Sequence, residues 1–348
     1  MLTAAELFGT QLPIVQAPMA GVQAGALAVA VCEAGALGSL PCAMLDAKAM
    51  RVELDFIKAR TRGPLNVNFF CHRPPAPDAQ REARWRAALA PYYAEFGIDA
   101  ASIPSAPGRI PFGAAAADVL EAYRPAVVSF HFGLPDRELL ARVRSWGSKV
   151  MSSATTVEEA RWLEAQGVDA VIAQGLEAGG HRGMFLGDDV ATQLGTFALL
   201  PQVVRAVRVP VIAAGGIADA DGVRAAMALG AAGVQAGTAF LLCPEVTTTA
   251  MHRAALRARP HVTALTNLFT GRPARGIVNR VVRELGPLNA LVPAFPLATA
   301  AIAPLRARAE ATGTGDFSPL WSGQNASGCR EVAAGEVVRA LAVGLGGA

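Results

Sequence analysis

The sequence reads as an α/β protein, a (β/α)8 TIM barrel with a helical cap domain over its C-terminal face. Eight short apolar runs rich in β-formers recur along it, most of them followed by a helical pattern. Near-continuous apolar strands alternating with helices are what a parallel sheet covered on its outer side requires. Eight such units favour a closed barrel over an open sheet, and 348 residues, 52% of them hydrophobic, suffice for a core of that size.

In chain order the strands are expected in PIVQAP (13–18), LGSL (37–40), LNVNFF (65–70), AVVSFHF (126–132), KVMSSA (149–154), DAVIAQG (169–175), VPVIAAGG (209–216) and AGVQAGTAF (232–240). The first two precede the helical patterns GALAVAVCEAG and DAKAMRVELDFIKAR. TVEEARWLEAQG (156–167) opens on Thr156 with Glu159 three residues on, a capping-box arrangement, and closes on Gly167. DADGVRAAMALG (219–230) likewise opens on Asp219 and closes on Gly230.

Most strand starts lie about twenty residues apart, but the third and fourth are separated by sixty-one. The proline-rich stretches HRPPAPD and SIPSAPGRIPFGAAAA fall in that gap, so residues 71–118 are read as an insertion beside the barrel mouth. After the eighth strand, residues 246–324 are assigned to a helical substrate-capping domain. Its stretch PLNALVPAFPLATAAIAP carries four prolines that exclude a membrane helix. GEVVRALAVGL returns as the last barrel helix, which gives the barrel domain residues 1–245 and 325–348.

Bulk charge narrows the partners. Lysines and arginines total 31 against 28 acids, scattered rather than clustered, which weighs against nucleic acid. Five cysteines form no CxxC pair and leave one over, as suits reduced thiols in a cytoplasm; no structural metal is expected. The uncharged stretch between Glu6 and Glu33 is broken by Pro13, Pro18, Gln11, Gln16 and Gln23, and no basic residue precedes Lys48. It is therefore read as a buried strand followed by a small-residue helix, not as a signal peptide or membrane span.

In a barrel of this kind the chemistry sits where the strands end, and the last two βα loops commonly hold phosphate. Those loops carry Gly215 and Gly216, and Gly237 and Thr238, whose bare backbone lets N–H groups approach an anion. Tight βα turns also use glycine for purely structural reasons. Asn68 and Gln174 set amides inside apolar strand ends, where they could serve a flat heterocycle or bond to neighbouring backbone. His131 is either a substrate-pocket group or a satisfied core histidine. His181, in GLEAGGHRG (175–183), follows two glycines on the loop after the sixth strand.

The motifs QAPMAG, NVNFF, SFHFG, AQGLEAGGHRG, PVIAAGGIADADGVRAAMALGAAGVQAGTAF and TGRPARGIVNR resemble those of the class I nitronate monooxygenases, from about residue 10 to the SGQ at 322–324. The resemblance implies FMN held non-covalently in a TIM barrel under a helical domain. It puts Ala17, Pro18 and Met19 by the isoalloxazine, with Asn68 and Gln174 also on FMN. It sets Gly179, Gly216, Gln235, Ala236, Gly237 and Thr238 around the phosphate end, and Gly180 beside them. His181 becomes the catalytic residue, with Gly179 and Gly180 clearing space for the cofactor. An imidazole there can act as a base toward a carbon acid or as a cation holding an anionic nitronate.

The implied reaction is oxidation of an alkyl nitronate such as propionate 3-nitronate by O2, through a flavin semiquinone, to a carbonyl compound and nitrite. It would serve nitroalkane detoxification in the cytoplasm. The implied partners are the small-molecule nitronate and O2, with no membrane and no nucleic acid; a homodimer is compatible with the family. A substrate carboxylate would want a basic partner, for which Arg272 and Arg275 are candidates, although both could equally pair on the cap surface. FMN-dependent NAD(P)H reductases, acting on quinones or enoyl thioesters, share the barrel and are the alternative. They usually carry a doubled glycine where this chain has Ala17 and Pro18, and a glycine-rich end where it has SFHFG. A barrel that binds a phosphorylated ligand without catalysis is a further alternative. No tyrosine follows Tyr123, so an aromatic wall contributed by the cap must come from Phe269, Phe295, Phe317 or Trp321.

Overall fold

A computed structural model describes residues 2–103 and 108–346. Its strands are β1 (Ile14–Gln16), β2 (Gly38–Pro41), β3 (Leu65–Phe70), β4 (Val127–His131), β5 (Lys149–Ala154), β6 (Ala170–Gln174), β7 (Gly180–His181), β8 (Val211–Ala214), β9 (Gly233–Ala236), β10 (Thr263–Thr266) and β11 (Ala274–Ile277). Eight of them form one parallel sheet in the order β1-β9-β8-β6-β5-β4-β3-β2. The parallel bridge Val15 to Leu37 closes it, with Gln16 N donating to Leu37 O at 3.0 Å and Leu37 N to Ile14 O at 2.9 Å. Each expected strand is present: β3 and β5 with the expected bounds, β2 shifted by one residue to end on Pro41, and the others trimmed at their ends.

The barrel is filled by Val15, Leu37, Met151, Ile172 and Ile212, and Phe8 of the short helix Ala4–Phe8 packs against this cluster at the strands' N-terminal end. Gln16 and Gln23, which interrupt the apolar N-terminal run, are buried and satisfy each other: Gln16 Nε2 donates to Gln23 Oε1 at 2.7 Å, and Ser39 N donates to Gln16 Oε1 at 3.0 Å. A larger core joins the outer faces of the strands to the surrounding helices, including Val337, Val338 and Leu341 of the helix Ala334–Ala342.

Helix Val157–Ala165 starts at Thr156 as expected, with Thr156 Oγ1 accepting from Glu159 N at 3.2 Å. The reciprocal half of the capping box is absent. The buried Glu159 carboxylate instead accepts from Thr155 N and Thr155 Oγ1, both at 2.7 Å, and from the backbone of Phe185 and Leu186. It ties the helix to the loop beyond His181. Helix Ala220–Ala228 has its expected Asp219 cap, accepting from Gly222 N at 2.9 Å.

The long gap after β3 holds the helix Ala79–Glu95; residues 104–107 of the expected insertion lie outside the described residues. Trp85, Leu89, Tyr92 and Tyr93 pack with Phe317, Ile302 and Leu305 in a second core shared between the insertion and the segment after β9. That segment is not wholly helical. Besides the helices Ala250–Arg257 and Ala298–Ala311 it contributes β10 and β11, which pair antiparallel and recruit β7 into a three-stranded sheet. Among the described residues no helix is long and apolar enough to cross a membrane, and all five cysteines are free.

Candidate active site

The loop after β6 is fixed from two directions. In front, β7 pairs with β11 so that Ala274 faces His181 and Arg275 faces Gly180, and Arg182 N donates to Pro273 O at 2.9 Å. Behind, Gln174 Nε2 donates to His181 O at 3.0 Å while its Oε1 accepts from Gly183 N at 2.8 Å. His131 Nε2 reaches the same carbonyl at 3.1 Å, and its Nδ1 meets Ser153 Oγ at 3.1 Å. A carbonyl only accepts, so His131 carries its proton on Nε2 and Ser153 donates to Nδ1. Burial pushes His131 down to about 3, keeping it neutral in this role. Arg182 is fully buried and donates to Gln193 Oε1, Gly175 O and Gln174 O, each at 2.7 Å. Its burial lowers the guanidinium to about 9.

His181 faces a cage of rings. Its imidazole centroid lies 5.4 Å from those of Phe295 and Trp321 and 5.9 Å from those of Phe70 and Phe132. Nε2 hydrogen-bonds Thr270 Oγ1 at 3.0 Å, which leaves Nδ1 for a ligand. Burial, and after it the neighbouring Arg109, His131, Arg272 and His72, hold the ring well below its ordinary pKa. The neutral imidazole is therefore the form at physiological pH, which favours the base over the cation among the two roles expected from sequence.

Ala17, Pro18, Met19, Asn68, His131, Gln174, Gly179, Gly180, His181, Gly215, Gly216, Gln235, Ala236, Gly237 and Thr238 all line one cavity at the C-terminal ends of the strands. It measures about 1280 Å³, open solvent at its mouth included. Its floor is rich in unused polar groups. Gln235 Oε1 is buried without a partner, and the N–H groups of Gly215, Gly216 and Gly237 donate to no backbone carbonyl among the described residues. Gly215 and Gly216 take φ of +117° and +74°, a region that favours glycine and turns the loop after β8. Asn68 Nδ2 is bonded to Ser129 Oγ at 2.9 Å, so Asn68 and Gln174 both hold neighbouring groups while lining the cavity.

Residues 322–325 lace these loops together. Gly323 N donates to Thr238 Oγ1 at 2.9 Å, Gln324 N to Glu177 O at 3.0 Å, and Asn325 Nδ2 to Gly216 O at 2.9 Å. Gly179, which lines the cavity, carries a second constraint. A Cβ there would lie 2.5 Å from Gly323 N and 2.6 Å from Ser322 C, so this glycine makes room for the returning chain; Gly180 borders open space.

The basic candidates are also re-sorted. Arg272 donates to Met184 O and stacks on Phe132, its Cζ 4.0 Å from the ring centroid. Arg275 donates to Leu176 O at 2.9 Å and Thr263 Oγ1 at 3.1 Å. Neither lines the cavity; both brace the histidine loop. Arg109, from the insertion, does line it, and sequence reasoning passed it over, as it did Thr270 and Phe70. Of the cap aromatics, Phe295 and Trp321 face His181, Phe269 backs Trp321 at 5.5 Å, and Phe317 belongs to the second core.

A family model described as nitronate monooxygenase matches residues 3–344. The chain is 43% identical to a nitronate monooxygenase of Pseudomonas aeruginosa, covering 98% of both chains. It is 42% identical to one of Paraburkholderia phytofirmans, over 96% of this chain and 92% of the relative. Among solved structures, nitroalkane oxidase from Streptomyces ansochromogenes superposes with a TM-score of 0.87 at 41% identity, covering 98% of this chain and 97% of that one.

Proposed function

The chain belongs to the nitronate monooxygenase family of oxidoreductases, and on that premise we propose that it oxidises alkyl nitronates with O2, yielding a carbonyl compound and nitrite, with FMN as cofactor. The observation that carries the reading is that His181 and every cofactor candidate border a single cavity. The donor set there fits FMN. Open backbone N–H groups at Gly215, Gly216 and Gly237 suit a phosphate, and the orphaned Gln235 Oε1 suits a ring N–H. Ala17, Pro18, Met19, Asn68 and Gln174 would border the ring, and Gly179, Gly216, Ala236 and Thr238 the phosphate end. Bound FMN would supply the electron transfer from nitronate to oxygen.

The chain's own residues do the rest. Neutral His181 offers Nδ1 as acceptor for the α-proton of a nitroalkane, which leaves the nitronate in place, while Thr270 fixes the ring through Nε2. Phe70, Phe132, Phe295 and Trp321 exclude water around it. Residues 246–324 are proposed as the substrate-capping domain over a barrel of residues 1–245 and 325–348.

Oxygen uptake by the purified protein tests the reading, with propionate 3-nitronate run beside NADH and NADPH. Rapid uptake with the nitronate and none with the nicotinamides is expected. With 1-nitropropane, whose α-proton a base must remove, His181→Ala should lower kcat/KM by about a hundredfold or more, the scale of a lost general base, while flavin stays bound. Nicotinamide oxidation without nitronate turnover would make the protein a reductase.

A further inference from the structure

Among the described residues Arg109 is the one arginine or lysine lining the cavity, and no aspartate or glutamate lines it. Its side chain makes no hydrogen bond or ion pair with a described residue; instead its Cζ sits 5.5 Å from the Phe295 ring centroid and 5.8 Å from that of Phe70. Those are two of the rings that also flank His181. Guanidinium and imidazole thus face the same pair of rings. The main chain beneath is fixed, because His72 Nε2 hydrogen-bonds Arg109 O at 3.0 Å and Phe112 N donates to Phe70 O at 2.8 Å. The other arginines beside the histidine loop donate to it and do not line the cavity: Arg272 and Arg275 bond carbonyls, with Arg272 Nε left unpaired, and Arg182 bonds the back of the loop.

A half-buried charge beside aromatic rings, with no partner among the described residues, is poorly compensated unless water or a ligand supplies one. We propose that Arg109 is the specificity-determining residue of the site, the group that binds a carboxylate at the far end of a short nitronate. This rests on the nitronate reading. It assigns the two negative charges separately: the nitronate lies at His181 over the cofactor side, and the carboxylate meets the planar fork of Arg109, which suits it bidentately. Arginine serves here where a lysine, a point charge, would hold the carboxylate less specifically.

Two measurements on the flavin-loaded protein test it. The first is the ratio of kcat/KM for propionate 3-nitronate to that for 1-propyl nitronate, which lacks the carboxylate. Arg109→Met should lower that ratio by about thirtyfold, the loss expected for a hydrogen bond to a charged group, and Arg109→Lys should lower it less. The second is a flavin absorbance titration with succinate, whose two carboxylates match the spacing of the dianion, against butyrate. The unaltered protein should bind succinate more tightly, and Arg109→Met should erase the difference. An unchanged ratio together with an unchanged succinate preference overturns the proposal. If the unaltered protein oxidises neither nitronate, the functional reading falls, and the succinate titration alone decides whether Arg109 anchors a dianion. A selective loss of NADH oxidation in Arg109→Met, with succinate binding unaffected, would assign the guanidinium to a phosphate and also overturn it.

Discussion

The two sides of the cavity are built on different principles. The floor consists of strand ends and the turns that follow them, where Ala17, Gly216, Ala236 and Gly237 present main chain and little else. The roof consists of side chains, with Phe70, Arg109, Phe132, His181, Thr270, Phe295 and Trp321 drawn from separate segments and brought together by the second core and the β7-β11-β10 sheet. Backbone donors on a closed barrel are rigid and indifferent to what reacts above them, as a cofactor site requires. Selectivity and acid–base character are left to a roof whose side chains can change without disturbing the floor.

If that division holds, damage to the floor should remove the cofactor, and damage to the roof should alter turnover with the cofactor in place. The largest effect is expected from Gly179→Val, since the added Cβ would press on Gly323 N at 2.5 Å and displace the chain that laces the floor loops. Overpacking of about 1–3 kcal/mol translates into FMN binding weakened roughly 5- to 150-fold, measured by titrating apoprotein with FMN. An unaltered affinity would mean that residues 322–325 do not shape the floor. Thr270→Val tests the roof more gently. Losing the 3.0 Å hydrogen bond to His181 Nε2 should reduce kcat/KM by about two- to twelvefold. FMN affinity should stay put; a parallel loss of flavin would break the distinction between the two sides.

The same contrast explains what could be read in the sequence. The floor was legible because each of its residues sits at a fixed offset from a strand whose apolar run announces it: Asn68 in β3, Gln174 at the end of β6, Gly237 just after β9. Glycine pairs mark such turns by composition alone. In the roof His181 was marked by the glycines before it, and Phe295 and Trp321 by being among the few aromatics of the cap, but the other groups lacked any such local signal. Arg109 lies in an irregular stretch of the insertion, and Thr270 reaches His181 across 89 positions of sequence. Their meeting depends on Trp85 and Leu89 packing against Ile302 and Leu305, a contact with no periodicity to betray it. Glu159 failed differently. The capping-box spacing was present, but a buried carboxylate with four stronger donors, at Thr155, Phe185 and Leu186, no longer serves its own N-cap.

The smallest effect expected is a change in pH dependence, and it asks whether the roof controls protonation at the floor's edge. Burial is the main cause of the depressed His181 pKa, and the Arg109 charge is the next. Protonating the ring beside a guanidinium is unfavourable, so the acid limb of kcat/KM should lie below the ordinary histidine value of about 6.5. Removing the guanidinium in Arg109→Met stabilises the protonated ring and should move that limb upward. His131, Arg272 and His72 still face the imidazole and the burial is unchanged, so the limb should stay below the ordinary value. Profiles measured with 1-nitropropane, whose α-proton the neutral ring must take and which has no carboxylate, keep a lost carboxylate contact out of the comparison. An immobile limb would mean that burial alone sets the protonation of His181, whereas a downward shift would mean that Arg109 acts on it through position and not through charge.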